Sequence, residues 1–337
     1  MTDILSRLLE TRPWLVADGA TGTNLFAMGL EAGEAPELWN TDKPERIRAL
    51  YQGFIDAGSD LILTNSFGGT RARLKLHQAQ DRAYELNRVA AEIARDCVDR
   101  SRRTVVVAGS MGPTGELLEP VGPLTHDAAV EMFEEQARGL LDGGADVLWA
   151  ETISSEEEMR AASDAAARVG APFCATMSFD SAGRTMMGVT STGYAGIAAG
   201  LAAKPIAFGA NCGVGASDLL RTVLGLSKAA PGSVLIAKAN AGIPSYQDGI
   251  IVYSGTPELM ADYAILARDA GARIIGGCCG SKPEHVAAMR EALETKPPGG
   301  RRPGLDEIAA RLGAFSSTDD GASGEGPPKR ERRRRRG

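Results

Sequence analysis

The chain has 337 residues, 43% of them hydrophobic, and a net charge of −6, enough for one large core or two modest ones. Residues 329–336 (Lys-Arg-Glu-Arg-Arg-Arg-Arg-Arg) hold seven cations and one anion, a local +6 that leaves −12 on the rest, and an acidic body argues against nucleic acid as the main ligand. No apolar run approaches the roughly 20 residues of a membrane span, no basic-then-apolar leader opens the chain, and five cysteines without framework spacing point to a reducing, cytoplasmic setting.

Strands and helices alternate along the chain. Trp14-Leu-Val-Ala-Asp18 predicts a strand ending on an acid and opening into Gly19-Ala-Thr-Gly-Thr23; helical periodicity follows over 44–57, with Pro44 in the first turn, where its missing N–H costs nothing. Asp60-Leu-Ile-Leu-Thr64 is a second strand, leading into Asn65-Ser-Phe-Gly-Gly69, with a long helix over 81–100. Thr104-Val-Val-Val-Ala-Gly-Ser110 is a third, followed by the loop 111–115 and a helix over 127–142. Asp146-Val-Leu-Trp-Ala-Glu151 is a fourth, and Ser155-Glu-Glu-Glu starts its helix with a capping hydroxyl and acids in the first turn. Further strands are expected at 172–178, 205–211, 233–240 and 272–277, with helices from 216, over 257–270 and over 283–293. Eight such units, with apolar runs that barely alternate, predict an α/β fold: a single (β/α)8 TIM barrel over 1–295. An open doubly wound sheet is the alternative, and the lack of a G-x-G-x-x-G after the first strand weighs against it. Residues 296–337, rich in Pro, Gly, Ser and Arg, read as a mostly disordered basic tail with one short helix over 305–315.

The active site of such a barrel lies at the carboxyl ends of its strands, where polar residues gather here: Asp18, Thr64 and Asn65, Ser110, Glu151, Ser178, Asn211 and Cys212, Asn240, Cys278 and Cys279. Closure sets the sixth and eighth strands one neighbour apart, so Cys212 can meet the Cys278-Cys279 pair. Three convergent thiols suit one soft metal ion, Zn2+ above all, at about 2.3 Å, with a fourth position open. Three thiolates leave the centre at about −1, which suits holding a fourth thiolate as a nucleophile, so sulfur alkylation is the expected chemistry. His77, His126 and His285 fit no metal spacing and are placed outside the strand-end loops. Asp18 and Glu151 are candidates for a substrate ammonium group. The glycine-rich turn 111–115 could offer N–H groups to a carboxylate.

The motifs Asp18-Gly-Ala-Thr-Gly-Thr, Thr64-Asn-Ser-Phe, Gly109-Ser-Met-Gly-Pro-Thr-Gly115, Glu151-Thr, Gly209-Ala-Asn-Cys-Gly, Asn240-Ala-Gly-Ile-Pro and Gly276-Gly-Cys-Cys-Gly occur in order over about 14–292. In them the chain resembles the homocysteine S-methyltransferases, including betaine–homocysteine methyltransferases and the homocysteine domain of cobalamin-dependent methionine synthase. The resemblance implies zinc on Cys212, Cys278 and Cys279, and homocysteine near Asp18 and Glu151, with Asn211, Thr64 and Ser110 as further substrate residues. It implies conversion of homocysteine to methionine, with betaine as methyl donor or, alternatively, a separate methyl-corrinoid protein. Where the animal betaine enzymes carry an aromatic residue after the second-strand motif, this chain has Gly68; Trp39, Phe67, Tyr246 and Tyr253 are other candidates for the faces a quaternary ammonium needs. Two other readings compete: a zinc-stabilised protein binding RNA or a partner through its arginine tail, and a lyase forming a Schiff base on Lys238.

Overall fold

The computed structural model describes residues 3–247 and 250–319. Eight parallel strands run β1 (Leu15–Val16), β2 (Leu61–Leu63), β3 (Val106–Met111), β4 (Val147–Ile153), β5 (Phe173–Met177), β6 (Ala207–Cys212), β7 (Leu235–Ala239) and β10 (Ala272–Gly277), in the order β1-β10-β7-β6-β5-β4-β3-β2. An Ala17–Leu61 bridge and a bond from Asp60 N–H to Val16 O at 2.7 Å join the two ends, giving the (β/α)8 barrel. The strands read as continuous apolar runs because both faces are covered, by helices outside and by packed side chains within.

Alternation along the strands fills the interior in layers. Leu15, Leu61, Val106, Val147, Ile236 and Ile274 pack low in the barrel, with Ala108, Trp149 and Cys174 above. Further along, the same parity delivers Ser110, Glu151, Thr176, Asn211, Lys238 and Cys278 to the carboxyl end, so the apolar core gives way to a largely buried polar layer.

Among the elements that exceed the sequence expectation are two helices and a hairpin. The helix Ile4–Thr11, capped by Asp3 accepting Ser6 N–H at 2.8 Å, buries Leu5, Leu8 and Leu9 against the low interior layer and closes the amino end. The helix Ser191–Ala199 follows β5; with two glycines and an almost entirely apolar or small surface it carries no helical periodicity, yet Thr190 caps it by accepting Gly193 N–H at 3.0 Å. A two-stranded antiparallel hairpin, β8 (Pro244–Gln247) with β9 (Ile250–Tyr253), occupies what reads as a plain loop.

The packed chain also extends past 295. Arg268 donates to Lys296 O and Pro297 O, the helix Leu305–Leu312 buries Ile308, Ser217 donates to Gly313 O, and Asp218 accepts Ser316 N–H. Residues 320–337, with the arginine run assigned to a disordered tail, lie outside the described residues. No helix among the described residues is long and apolar enough to cross a membrane.

Candidate active site

The sheet register brings the thiols together. Cys212 of β6 and Gly277 of β10 both stand opposite Ala239 of the intervening β7, so Cys278 arrives at the level of Cys212. A 2.6 Å bond from Cys278 N–H to Ala239 O continues the ladder one residue further. The three sulfurs lie within 4.8 Å of one another, with Cys212 Sγ 3.9 Å from Cys279 Sγ. Hydrogen bonds from Cys212 and Cys278 lower the Cys279 thiol, while its own bonds to Cys278 and Cys279 raise Cys212. Three soft donors converging on one point of a cavity wall match the donor set of a thiolate metal site.

This cluster is braced from several sides. Cys212 and Thr152 both adopt left-handed backbone, φ +59° and +62°, which costs on the order of 1–3 kcal/mol for each non-glycine residue. Asn211 ties them: its Oδ1 accepts from Thr152 N–H at 2.8 Å and Thr176 Oγ1 at 2.7 Å, and its Nδ2 donates to Thr152 Oγ1 at 2.7 Å. The same Nδ2 approaches Cys278 Sγ at 3.8 Å. The first-strand motif supports the cysteine loop directly, since Thr23 Oγ1 accepts Gly280 N–H at 3.2 Å and Ser281 O accepts from Ala20 N–H and Asn24 Nδ2. Gly280 (φ +79°) has no room for a side chain, because a Cβ would lie 2.4 Å from the Tyr253 side chain. Tyr253 itself hydrogen-bonds Cys279.

Beside the thiols lies the buried polar layer. Ser110 Oγ donates to Glu151 Oε1, and Ser110 N–H donates to Thr64 Oγ1 at 3.0 Å, so Thr64, Ser110 and Glu151 form one chain of hydrogen bonds. Burial raises Glu151 to about 7, against the pull of Lys238. Asp18 is placed differently from the sequence expectation. Its Oδ1 takes Lys238 Nζ at 2.6 Å and its Oδ2 takes Leu63 N–H at 2.7 Å, and each partner of the ion pair is 2% exposed. Burial works to discharge Lys238, but Asp18 and Glu151 outweigh it and hold the ammonium charged. A charged, paired amine is not a Schiff-base nucleophile, which removes the ground for a Lys238 lyase.

A cavity of about 410 Å3 opens over these groups, lined by Cys212, Cys278, Cys279, Glu151, Ser110, Thr64 and Lys238, but not by Asp18 or Asn211. The loop 111–115 does not line it: Gly112 N–H goes to Phe67 O and Thr114 N–H to Glu158. The sequence reading missed Phe26, Glu34, Glu37, Arg73 and His77 in the wall, so His77 does reach the mouth. For Arg73 and His77 the available signal was the 19 residues between β2 and the helix Ala83–Arg100, a long connection carrying cations; Phe26, Glu34 and Glu37 lie in the connection after β1. Phe67 lines the cavity as a candidate aromatic face; Trp39 is buried beneath the Lys43 and Arg46 cations, and the Tyr246 side chain lies outside the described residues.

The fold and site have counterparts among known proteins. The Escherichia coli homocysteine methyltransferase MmuM is similar in its metallated form (25% identity, TM-score 0.69, covering 85% of this chain and 99% of that one) and in its oxidized form (26%, 0.68, 86% and 99%). A methyltransferase from Methanosarcina mazei shares the fold at 15% identity (TM-score 0.54, 87% and 99%). Residues 15–293 match the homocysteine S-methyltransferase family along nearly the whole barrel, and the chain belongs to that family.

Proposed function

We propose that the protein is a zinc-dependent enzyme that methylates homocysteine to methionine, with betaine as the methyl donor. The observation that carries this reading is the convergence of Cys212, Cys278 and Cys279 in a cavity whose wall also holds Glu151. The three cysteines would hold the ion, which when bound supplies the electrophile that ionises a substrate thiol at neutral pH. That the similar E. coli enzyme has a metallated form is in keeping with a bound metal here. Glu151, ionised, takes the homocysteine ammonium group, and Ser110 and Thr64 fix the carboxylate's orientation. Lys238, paired with Asp18, is a buried cation that favours the ionised form of Glu151. In the chemical step the homocysteine sulfur forms a bond to a donor methyl carbon, the methyl–nitrogen bond breaks, and dimethylglycine leaves with the electron pair; the thiol proton balances the departing amine.

The test is methionine formation by the zinc-loaded protein supplied with homocysteine and betaine alone. Turnover in wild type, with zinc binding and turnover both lost in Cys279→Ala while the circular dichroism spectrum is retained, is expected. Undiminished turnover in that variant would overturn the role of the thiols. Product from a methylated corrinoid protein but not from betaine would make the chain the homocysteine-activating component of a split cobalamin-dependent methionine synthase.

A further inference from the structure

Arg73 sits on the short turn Arg71–Leu74 after β2, and β2 is four strands from β6 in either direction around the barrel. This segment therefore faces Cys212 across the mouth. Arg73 is half-buried, lines the cavity and passes over Gly115, where an added Cβ would lie 3.1 Å from its Cδ and 3.2 Å from its Nη1. The hydrogen bond it makes runs from its backbone N–H to Thr70 Oγ1, which leaves the guanidinium without a hydrogen-bond or ion-pair partner among the described residues. Among the acids in the same wall, Glu37 is buried and committed to Gly68 N–H at 2.6 Å, and Glu34 is exposed. Glu37 also fills the space beside Gly68, where a Cβ would lie 3.0 Å from Glu37 Oε1. Phe26 and Phe67 supply aromatic faces in the same wall.

A half-buried guanidinium with free donors is a fork for a carboxylate, and aromatic faces suit an onium group. We infer that Arg73 binds the carboxylate of the methyl donor and sets the preference for donors that carry one. This rests on the methyl-transfer reading above. Arg73 and the thiol cluster line one cavity, so a donor whose carboxylate lies on Arg73 keeps its onium methyl in the space that also holds the substrate sulfur; a donor lacking the carboxylate loses that anchor.

Initial rates of methionine formation with matched donors test this: glycine betaine against tetramethylammonium, and dimethylsulfoniopropionate against trimethylsulfonium. Wild type is expected to favour the carboxylate-bearing member of at least one pair tenfold or more in kcat/KM, in keeping with the worth of a charge-assisted pair. Arg73→Ala is expected to raise the KM for that donor at least tenfold and shrink the preference by the same factor, leaving the KM for homocysteine in place, with Arg73→Lys recovering part of the loss. Thermal melts confirm that both variants fold. Equal use of both members of each pair by wild type, a preference retained by Arg73→Ala, or a rise in the KM for homocysteine in place of that for the donor overturns the assignment while methyl transfer from onium compounds stands. No methionine from any of the four donors overturns both.

Discussion

Replacing Lys238 by methionine asks whether Asp18 is committed to an ion pair or is free to meet substrate. Each group is 2% exposed, they touch at 2.6 Å, and the second Asp18 oxygen is occupied by Leu63 N–H. Methionine matches the lysine stem in length and flexibility, so the change removes the charge with little loss of volume, and a buried carboxylate is left facing a thioether. Breaking a buried pair from one side costs about 3–5 kcal/mol, because the remaining charge is uncompensated. Asp18→Asn leaves an uncompensated ammonium, eased by Glu151 nearby, and should fall at the lower end of that range. In the double variant neither charge remains, so its loss should be smaller than the sum of the single losses by at least about 2 kcal/mol. Urea unfolding of the four metal-loaded proteins at one pH gives the cycle, and homocysteine KM on the same samples gives the functional readout. Additive losses, or an Asp18→Asn protein as stable as wild type with a homocysteine KM raised many-fold, would refute the pairing and return Asp18 to direct substrate contact.

Glu151 carries a pH signature. In the metal-free protein its folded value of about 7, raised by burial from 4.5, means that the folded state holds the proton more tightly. Stability should therefore fall as pH rises from about 4.5 to 7, by about 3 kcal/mol in all, and Glu151→Gln should flatten that slope in urea titrations; an unchanged slope would remove Glu151 as its source. Asn211→Ala strips the bonds holding Thr152 and contacts Cys278 no longer, so we expect a loss of about 3 kcal/mol in unfolding free energy and a zinc affinity, read by competition with a chromogenic chelator, lower by about 10–100-fold.

Most of the barrel is legible in the sequence because its strands are buried on both faces and its helices begin with recognisable chemistry. Ser155 accepts Glu158 N–H, Pro257 follows the Thr256 cap, and Gly170 and Gly271 end their helices in left-handed backbone. What escapes is held by tertiary contact. The helix Ile4–Thr11 is only eight residues long and earns its place by plugging the barrel, which no local pattern announces. The stretch Ser191–Ala199 has an apolar or small residue at nearly every position, so it presents no face to read.

The site divides along the same line. The convergence of the thiols is legible from strand-end position alone, since two strand ends one neighbour apart on a closed barrel bring Cys212 to the Cys278-Cys279 pair; the shared register of Cys212 and Gly277 on Ala239 supplies that meeting point. A polar side chain at a strand end has two options, facing the cavity or bracing a neighbour, and the choice depends on what stands beside it across the sheet. Ser110, Thr64 and Glu151 line the cavity, whereas Asp18 turns to Lys238 and Asn211 to Thr152. The bracing is the costlier role to lose. Two strained residues, Cys212 and Thr152, sit on strands separated by β5, and Asn211 binds Thr152 while Thr176 of β5 binds Asn211. One amide thus fixes three adjacent strand ends, and the position of the thiol at 212 follows from it.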